Sequence, residues 1–402
     1  MLLSAGKINT NQSEFLDFIR GGAAILVLIA HCQQIFINPY WFPHKELGVS
    51  LPLVLYRHLG SLGVMLFFVL SGFLIYLSIA NNISSNNNKF DVRLFFVSRL
   101  VRLYPPLLIA TVISLVVYLL LWILGLNSSG EFATGRELYL AREELSVNWS
   151  DIFGSLFFLN TIVDQYRTPL INGPLWSLAH EFWFYVLCAA TVLVYMSVRR
   201  LWVIFLVFTF LFFNVNEFFW YGFFVWVAGF VAAWMWSFWH LKVVRLSAYI
   251  ISVILFLFWC FALNESSSSY FYNNRHKFLF GLFFAFAMPC FLNWTMLLGY
   301  IRRCRLCLVV GRVSPFAYTL YLIHFPIMLF SFILSNKFVD GGFLLLVAQI
   351  VFSMSVVIVL AFVIGGQVEN KHRLQVGKGK VLSVLSETQK KLILSIVTIK
   401  RR

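Results

Sequence analysis

FLDFIRGGAAILVLIAHC, residues 15–32, decides how this chain is read. Between Arg20 and His31 lie ten residues, GGAAILVLIA, with no polar side chain, and both flanking groups sit inside the first hydrophobic run. A cation and an ionisable imidazole inside a lipid-embedded segment are costly, so each marks a functional hypothesis by default. At ~1.5 Å per residue the step from Arg20 to His31 is roughly 16 Å along a helix, about half a bilayer core. An arginine at one face and a histidine near mid-depth point to something charged that enters from one side and reacts within.

The rest of the composition agrees with lipid. Of 402 residues, 60% are hydrophobic, 18% aromatic and only 12% charged, which fits a polytopic membrane protein and not a soluble domain. Hydropathy and loop charge predict an all-α membrane protein of about ten spans, near 15–38, 58–80, 104–126, 174–197, 201–217, 219–239, 246–263, 278–299, 315–335 and 343–365. Residues 1–370 are expected to form one membrane domain, and 371–402 a basic tail whose LILSIVTI lies on the inner leaflet. The net charge of +15 raises nucleic acid as a partner. Its placement argues against that. Basic residues gather in alternate loops (Lys89, Arg93, Arg199, Arg200, Lys242, Arg245, Arg302, Arg303), and the acids in the others. That is the positive-inside pattern, which predicts both termini in the cytoplasm and a lipid bilayer as the partner.

The loop 127–173 is expected on the far side, with the charged GRELYLAREEL and a re-entrant or interfacial DIFGSLFFL. Tyr40, Trp41, Trp149, Trp220, Trp239 and Trp294 fit an aromatic belt. NNISSNNNK, 81–89, reads as a flexible loop, and Tyr104-Pro105-Pro106 as the start of the third span. The six cysteines are expected to be reduced, and Cys304-x-x-Cys307 lacks the second pair that a metal site needs. The N-terminus has no signal-peptide pattern, so the first run is expected to stay as a span.

Several further groups are candidates for chemistry. Asp17 and Arg20, three apart, share a helix face and can pair. Arg99 and Arg102 in FFVSRLVRLYPP share another, and paired guanidiniums suit phosphates; ordinary positive-inside flanking is the plainer explanation. Glu181 in WSLAHEFWFY falls within a span, on a polar stripe with Trp176, Ser177 and Tyr185. A carboxylate there is paired, protonated or at work. Ser71-Gly72 in VLSGFLIY reads first as close helix packing. Ser314, Tyr318, Tyr321 and His324 make a last stripe, ending at Pro326. No dinucleotide, Walker or nucleophile-elbow motif occurs.

With these residues in view, the chain resembles the integral-membrane acyltransferase family 3, bacterial enzymes that O-acylate cell-surface glycans and related molecules. Five segments match in order: FLDFIRGGAAILVLIAHC, MLFFVLSGFLI, FFVSRLVRLYPP, WSLAHEFWFY and YTLYLIHFPI. The resemblance implies a bacterial inner-membrane O-acetyltransferase, with acetyl-CoA (acyl-CoA) as donor substrate, no tightly bound cofactor, no metal, and a glycan or glycolipid acceptor such as O-antigen. His31 is then expected as general base or acyl relay, with Glu181 orienting its imidazole. Asp17, Arg20, Ser71, Arg99, Arg102, Tyr104, Trp176, Tyr185, Tyr321 and His324 are expected to bind substrate. A transporter or flippase for an anionic or glycolipid substrate is the alternative, but the inverted repeats common in transporters are not apparent.

Overall fold

The computed structural model describes residues 7–37, 51–126, 145–197, 201–215, 217–266, 275–338, 343–370 and 373–385, and no strand occurs among them. GRELYLAREE (135–144), Tyr40, Trp41, Arg199, Arg200 and LILSIVTI lie outside the described residues. The helices are α1 (Thr10–Cys32), α2 (Leu51–Ser85), α3 (Val92–Ile123), α4 (Trp149–Leu156), α5 (Trp176–Met196), α6 (Leu201–Asn214) and α7 (Glu217–Ser237). After them come α8 (Lys242–Ser266), α9 (Arg275–Leu292), α10 (Thr295–Arg303), α11 (Arg305–Gly311), α12 (Ala317–Phe338) and α13 (Phe343–Val368).

Among the described residues, 9 helices are long and apolar enough to cross a membrane. The tenth expected span falls on α6, which has only 14 residues. At ~1.5 Å each that is roughly 21 Å, short of a ~30 Å hydrocarbon core. Three other expectations are corrected. Helix α3 begins at Val92, so Tyr104, Pro105 and Pro106 lie within it and the double-arginine segment forms its first turns. Residues 81–85 continue α2, and the Asn82 amide exchanges two 2.9 Å bonds with the backbone of Asp91, which pins this connection to the start of α3. The apolar run 278–299 breaks after Leu292, where the Asn293 amide takes the carbonyl of Pro289 at 2.7 Å.

Helix α1 starts on a capping box: the Asn9 side chain accepts from Gln12 N–H, and the Gln12 side chain accepts from Asn9 N–H. The same Gln12 donates to the carbonyl of Leu292, tying α1 to the end of α9. Helices α1 and α12 run in parallel, with Arg20 beside Ser314 and His31 beside His324. Helices α2 and α7 approach most closely at two glycines. A Cβ on Gly72 would meet the Trp226 carbonyl oxygen at 2.0 Å, and one on Gly229 the Val69 oxygen at 2.3 Å. Small residues let helices meet where lipid supplies no hydrophobic drive. Helices α1 and α2 are antiparallel, with Gly60 against Ala30 and Gly63 against Ala23, and the Arg302–Asn11 and Tyr76–Ser237 hydrogen bonds then bring Lys7, Lys89, Arg93, Lys242, Arg302 and Arg303 to one end of the bundle, hereafter the basic end.

Candidate active site

Arg20 of α1, Arg99 and Arg102 of α3, and Glu181 of α5 line one cavity. Ser71 of α2, Ser177 and Tyr185 of α5, and Tyr318 and Tyr321 of α12 complete its polar wall, and the remainder is apolar, Phe67 and Phe68 included. The cavity has a volume of about 70 Å³ and is a narrow slot.

Three guanidiniums face one carboxylate across this slot. Asp17 holds Arg20 at 3.5 Å, and Ser314 bridges the two, accepting from Arg20 at 3.2 Å and donating to Asp17 at 2.7 Å. Arg99 donates to the Ser78 hydroxyl, and its guanidinium stands 5.5 Å over the Phe95 ring and 5.9 Å over that of Tyr185. Those faces stabilise a cation without neutralising it. Its Nε is buried with no hydrogen-bond partner among the described residues. An excess of positive charge in a partly desolvated slot suits an anion that presents several oxygens, such as a phosphate chain.

Glu181 is held by a directed relay. The Trp226 indole, which can only donate, bonds the Ser71 hydroxyl at 3.1 Å. Ser71 meets the Tyr185 hydroxyl at 3.1 Å, and Tyr185 donates to Glu181 at 2.5 Å. Tyr185 stands one turn after Glu181 on α5, so helical spacing alone brings them together. Gly72, against Trp226, sets the approach of α2 and α7 that this relay needs. Ser71-Gly72 therefore serves packing and the polar wall together.

The two histidines sit outside that lining. His31 Nδ1 and His324 Nε2 are 2.9 Å apart, and His324 Nδ1 lies 3.1 Å from the Leu320 carbonyl. His324 is 1% exposed. Tyr321 and Phe67 form the cavity wall on this side, their rings edge to face at 5.7 Å, with Tyr321 6.0 Å from His324. The Tyr321 hydroxyl meets Ser177 at 2.7 Å and donates to the Pro174 carbonyl at 3.1 Å. Glu181 bonds Tyr185, and the imidazole of His31 meets His324.

Arg20, Ser71, Arg99, Arg102, Glu181, Tyr185 and Tyr321 thus share one cavity, while His31, His324, Asp17, Tyr104 and Trp176 do not line it. Tyr104 donates to the Leu156 carbonyl at 3.1 Å and holds the end of α4. Trp176 packs edge-on against His180 and Phe68. Cys304 caps α11, accepting from the Cys307 N–H, and no group of three potential metal ligands occurs among the described residues. Trp226, Ser78 and Asn172 are site-building residues that motif reading passed over. Trp226 and Ser78 stand in apolar helices, where nothing separates them from ordinary lipid-facing neighbours.

Residues 13–366 match a family model described as the acyltransferase domain of acyltransferase family 3. No curated protein and no solved structure matches the chain.

Proposed function

Because the chain belongs to the integral-membrane acyltransferase family 3, we propose that it moves an acyl group, acetyl above others, from cytoplasmic acyl-CoA to a hydroxyl of a cell-surface polysaccharide or lipid-linked sugar such as an O-antigen unit. In this reading the basic end faces the cytoplasm of a bacterial inner membrane, as the positive-inside pattern favours. The cavity with three guanidiniums is the observation that carries the donor assignment. Arg20, Arg99 and Arg102 take the phosphates of the donor, and the flexible arm of the donor carries its thioester past Tyr321 toward the imidazole pair.

The chemistry at the pair is general base catalysis. A sugar hydroxyl gives its proton to His31 as its oxygen attacks the thioester carbonyl. The carbon–oxygen bond forms, the carbon–sulfur bond breaks, and the leaving thiolate takes the proton back from the imidazolium. Glu181, held by Tyr185, Ser71 and Trp226, lies in the donor cavity and orients donor groups there.

Purified protein in detergent, given acetyl-labelled acetyl-CoA, is the test. Binding of the donor and release of CoA only when acceptor is added supports the reading. A general base contributes ~10²–10⁴ in rate, so His31→Ala is expected to lose about that much. Full activity in His31→Ala removes His31 from the mechanism. Substrate crossing vesicle membranes without CoA release favours transport instead.

A further inference from the structure

The contacts of His324 fix the proton on each ring of the histidine pair. His324 Nδ1 is 3.1 Å from the Leu320 carbonyl oxygen, which can only accept. Nδ1 must therefore carry a hydrogen, because two lone pairs facing each other at that distance repel. A charged ring at a site only 1% exposed, where no carboxylate among the described residues bonds it, is strongly disfavoured. His324 is consequently neutral, with Nε2 as its acceptor nitrogen. Since His31 Nδ1 lies 2.9 Å from that nitrogen, His31 Nδ1 is the donor. In water a free neutral imidazole side chain prefers the opposite form, with hydrogen on Nε2.

We infer that His324 is a positioning residue that holds His31 with its proton on Nδ1, so that Nε2 of His31 is the basic nitrogen. This rests on the proposed role of His31 as base. The arrangement is the third-group logic of a catalytic triad with an imidazole where a carboxylate usually stands. When His31 takes the hydroxyl proton on Nε2, the new charge on its ring is shared through the Nδ1–H bond to His324. No ionised carboxylate has to be kept at this depth, where one would be costly. Phe325, edge-on to His31 at 5.3 Å, limits rotation of the ring out of this geometry.

The experiment uses full-length protein in nanodiscs with ¹⁵N-labelled histidine, the His31 signals being assigned by their loss in His31→Ala. The wild type is expected to show Nδ1 protonated and Nε2 unprotonated at His31. His324→Leu removes the acceptor: His31 is expected to revert to the Nε2–H form, and kcat to fall about 10²-fold, a share of what a general base supplies, with acetyl-CoA binding unchanged. His324→Gln places a carbonyl oxygen where Nε2 stands. It is expected to restore the Nδ1–H form and most of kcat, which a loss of packing alone would not allow. Nε2–H at wild-type His31, an unchanged tautomer in His324→Leu, or no recovery in His324→Gln overturns the inference. Full activity of His31→Ala overturns the base itself, and the spectra judge the tautomer separately.

Discussion

Asn172 donates its side-chain N–H to the carbonyl of Leu322 at 2.9 Å. The ordinary helical partner of that carbonyl is four residues on, at Pro326, which has no N–H to give. A side chain from the turn Leu170–Leu175, just before α5, thus repairs the proline gap in α12. A second bond, to Ser114 at 3.2 Å, joins α3 to the same place.

Removing this tie leaves a buried acceptor unmet, at a cost of about 1–3 kcal/mol. Asn172→Ala is expected to lower the melting temperature in detergent by a few degrees and to loosen the turn carrying His324. An unchanged melting temperature would mean that water fills the gap.

Gly72→Ala is expected to be far more damaging than its one methyl suggests, because the new carbon meets backbone oxygen, at 2.0 Å, and not a flexible side chain. Helices α2 and α7 must part, which breaks the Trp226–Ser71 bond and frees Glu181. Gly299→Ala, with nothing within 4 Å of the added carbon, is the control. Comparing the melting curves of the two variants checks the close approach.

Arg102→Gln is expected to weaken acetyl-CoA binding about 10–100-fold, the value of one charge-assisted hydrogen bond of ~1.5–3 kcal/mol. Arg303→Gln, exposed on α10, should leave the affinity as it was. Calorimetry on both variants, at two salt concentrations, separates a specific phosphate contact from general surface charge.

The Cys307 backbone N–H lowers the pKa of the Cys304 thiol. A larger thiolate fraction near neutral pH follows, and thiolate is the reactive form. Cys304 is expected to react with maleimide well before the buried Cys32, Cys188 and Cys290. In intact cells a membrane-impermeant maleimide should label it only after permeabilisation. Labelling without permeabilisation would invert the proposed orientation.

Burial pushes the Glu369 carboxyl above its ordinary value, against bonds from Thr319 that lower it. The folded protein therefore binds this proton more tightly than the unfolded chain does. Its contribution to stability is full below the ordinary carboxylate range and is lost as pH rises through the raised value. Glu369→Gln is expected to flatten the melting-temperature profile across that window.

Much of this was legible in the sequence because polar groups inside apolar runs are rare and so informative. Arg20, Arg99, Arg102, Glu181, Ser71, Tyr185 and Tyr321 all come from such interruptions, and they line one cavity. What the sequence hid is pairing across helices. His31 meets His324, 293 positions away, and no periodicity links two positions on different helices. Trp226 was hidden for the opposite reason: in EFFWYGFFVWVAGF one indole looks like any other aromatic. The early start of α3 was misread because Pro105 and Pro106 mimic a helix N-terminus, although they lie within α3.

The Tyr321–Phe67 wall bears on how such an enzyme avoids squandering its donor. In the proposed function, a donor whose phosphates rest on the guanidiniums has its thioester kept by that wall from the nitrogen that would also turn stray water into a nucleophile. In that reading Tyr321, held by Ser177, and Phe67 stand between the guanidiniums and the imidazole pair and so keep idle donor from the base.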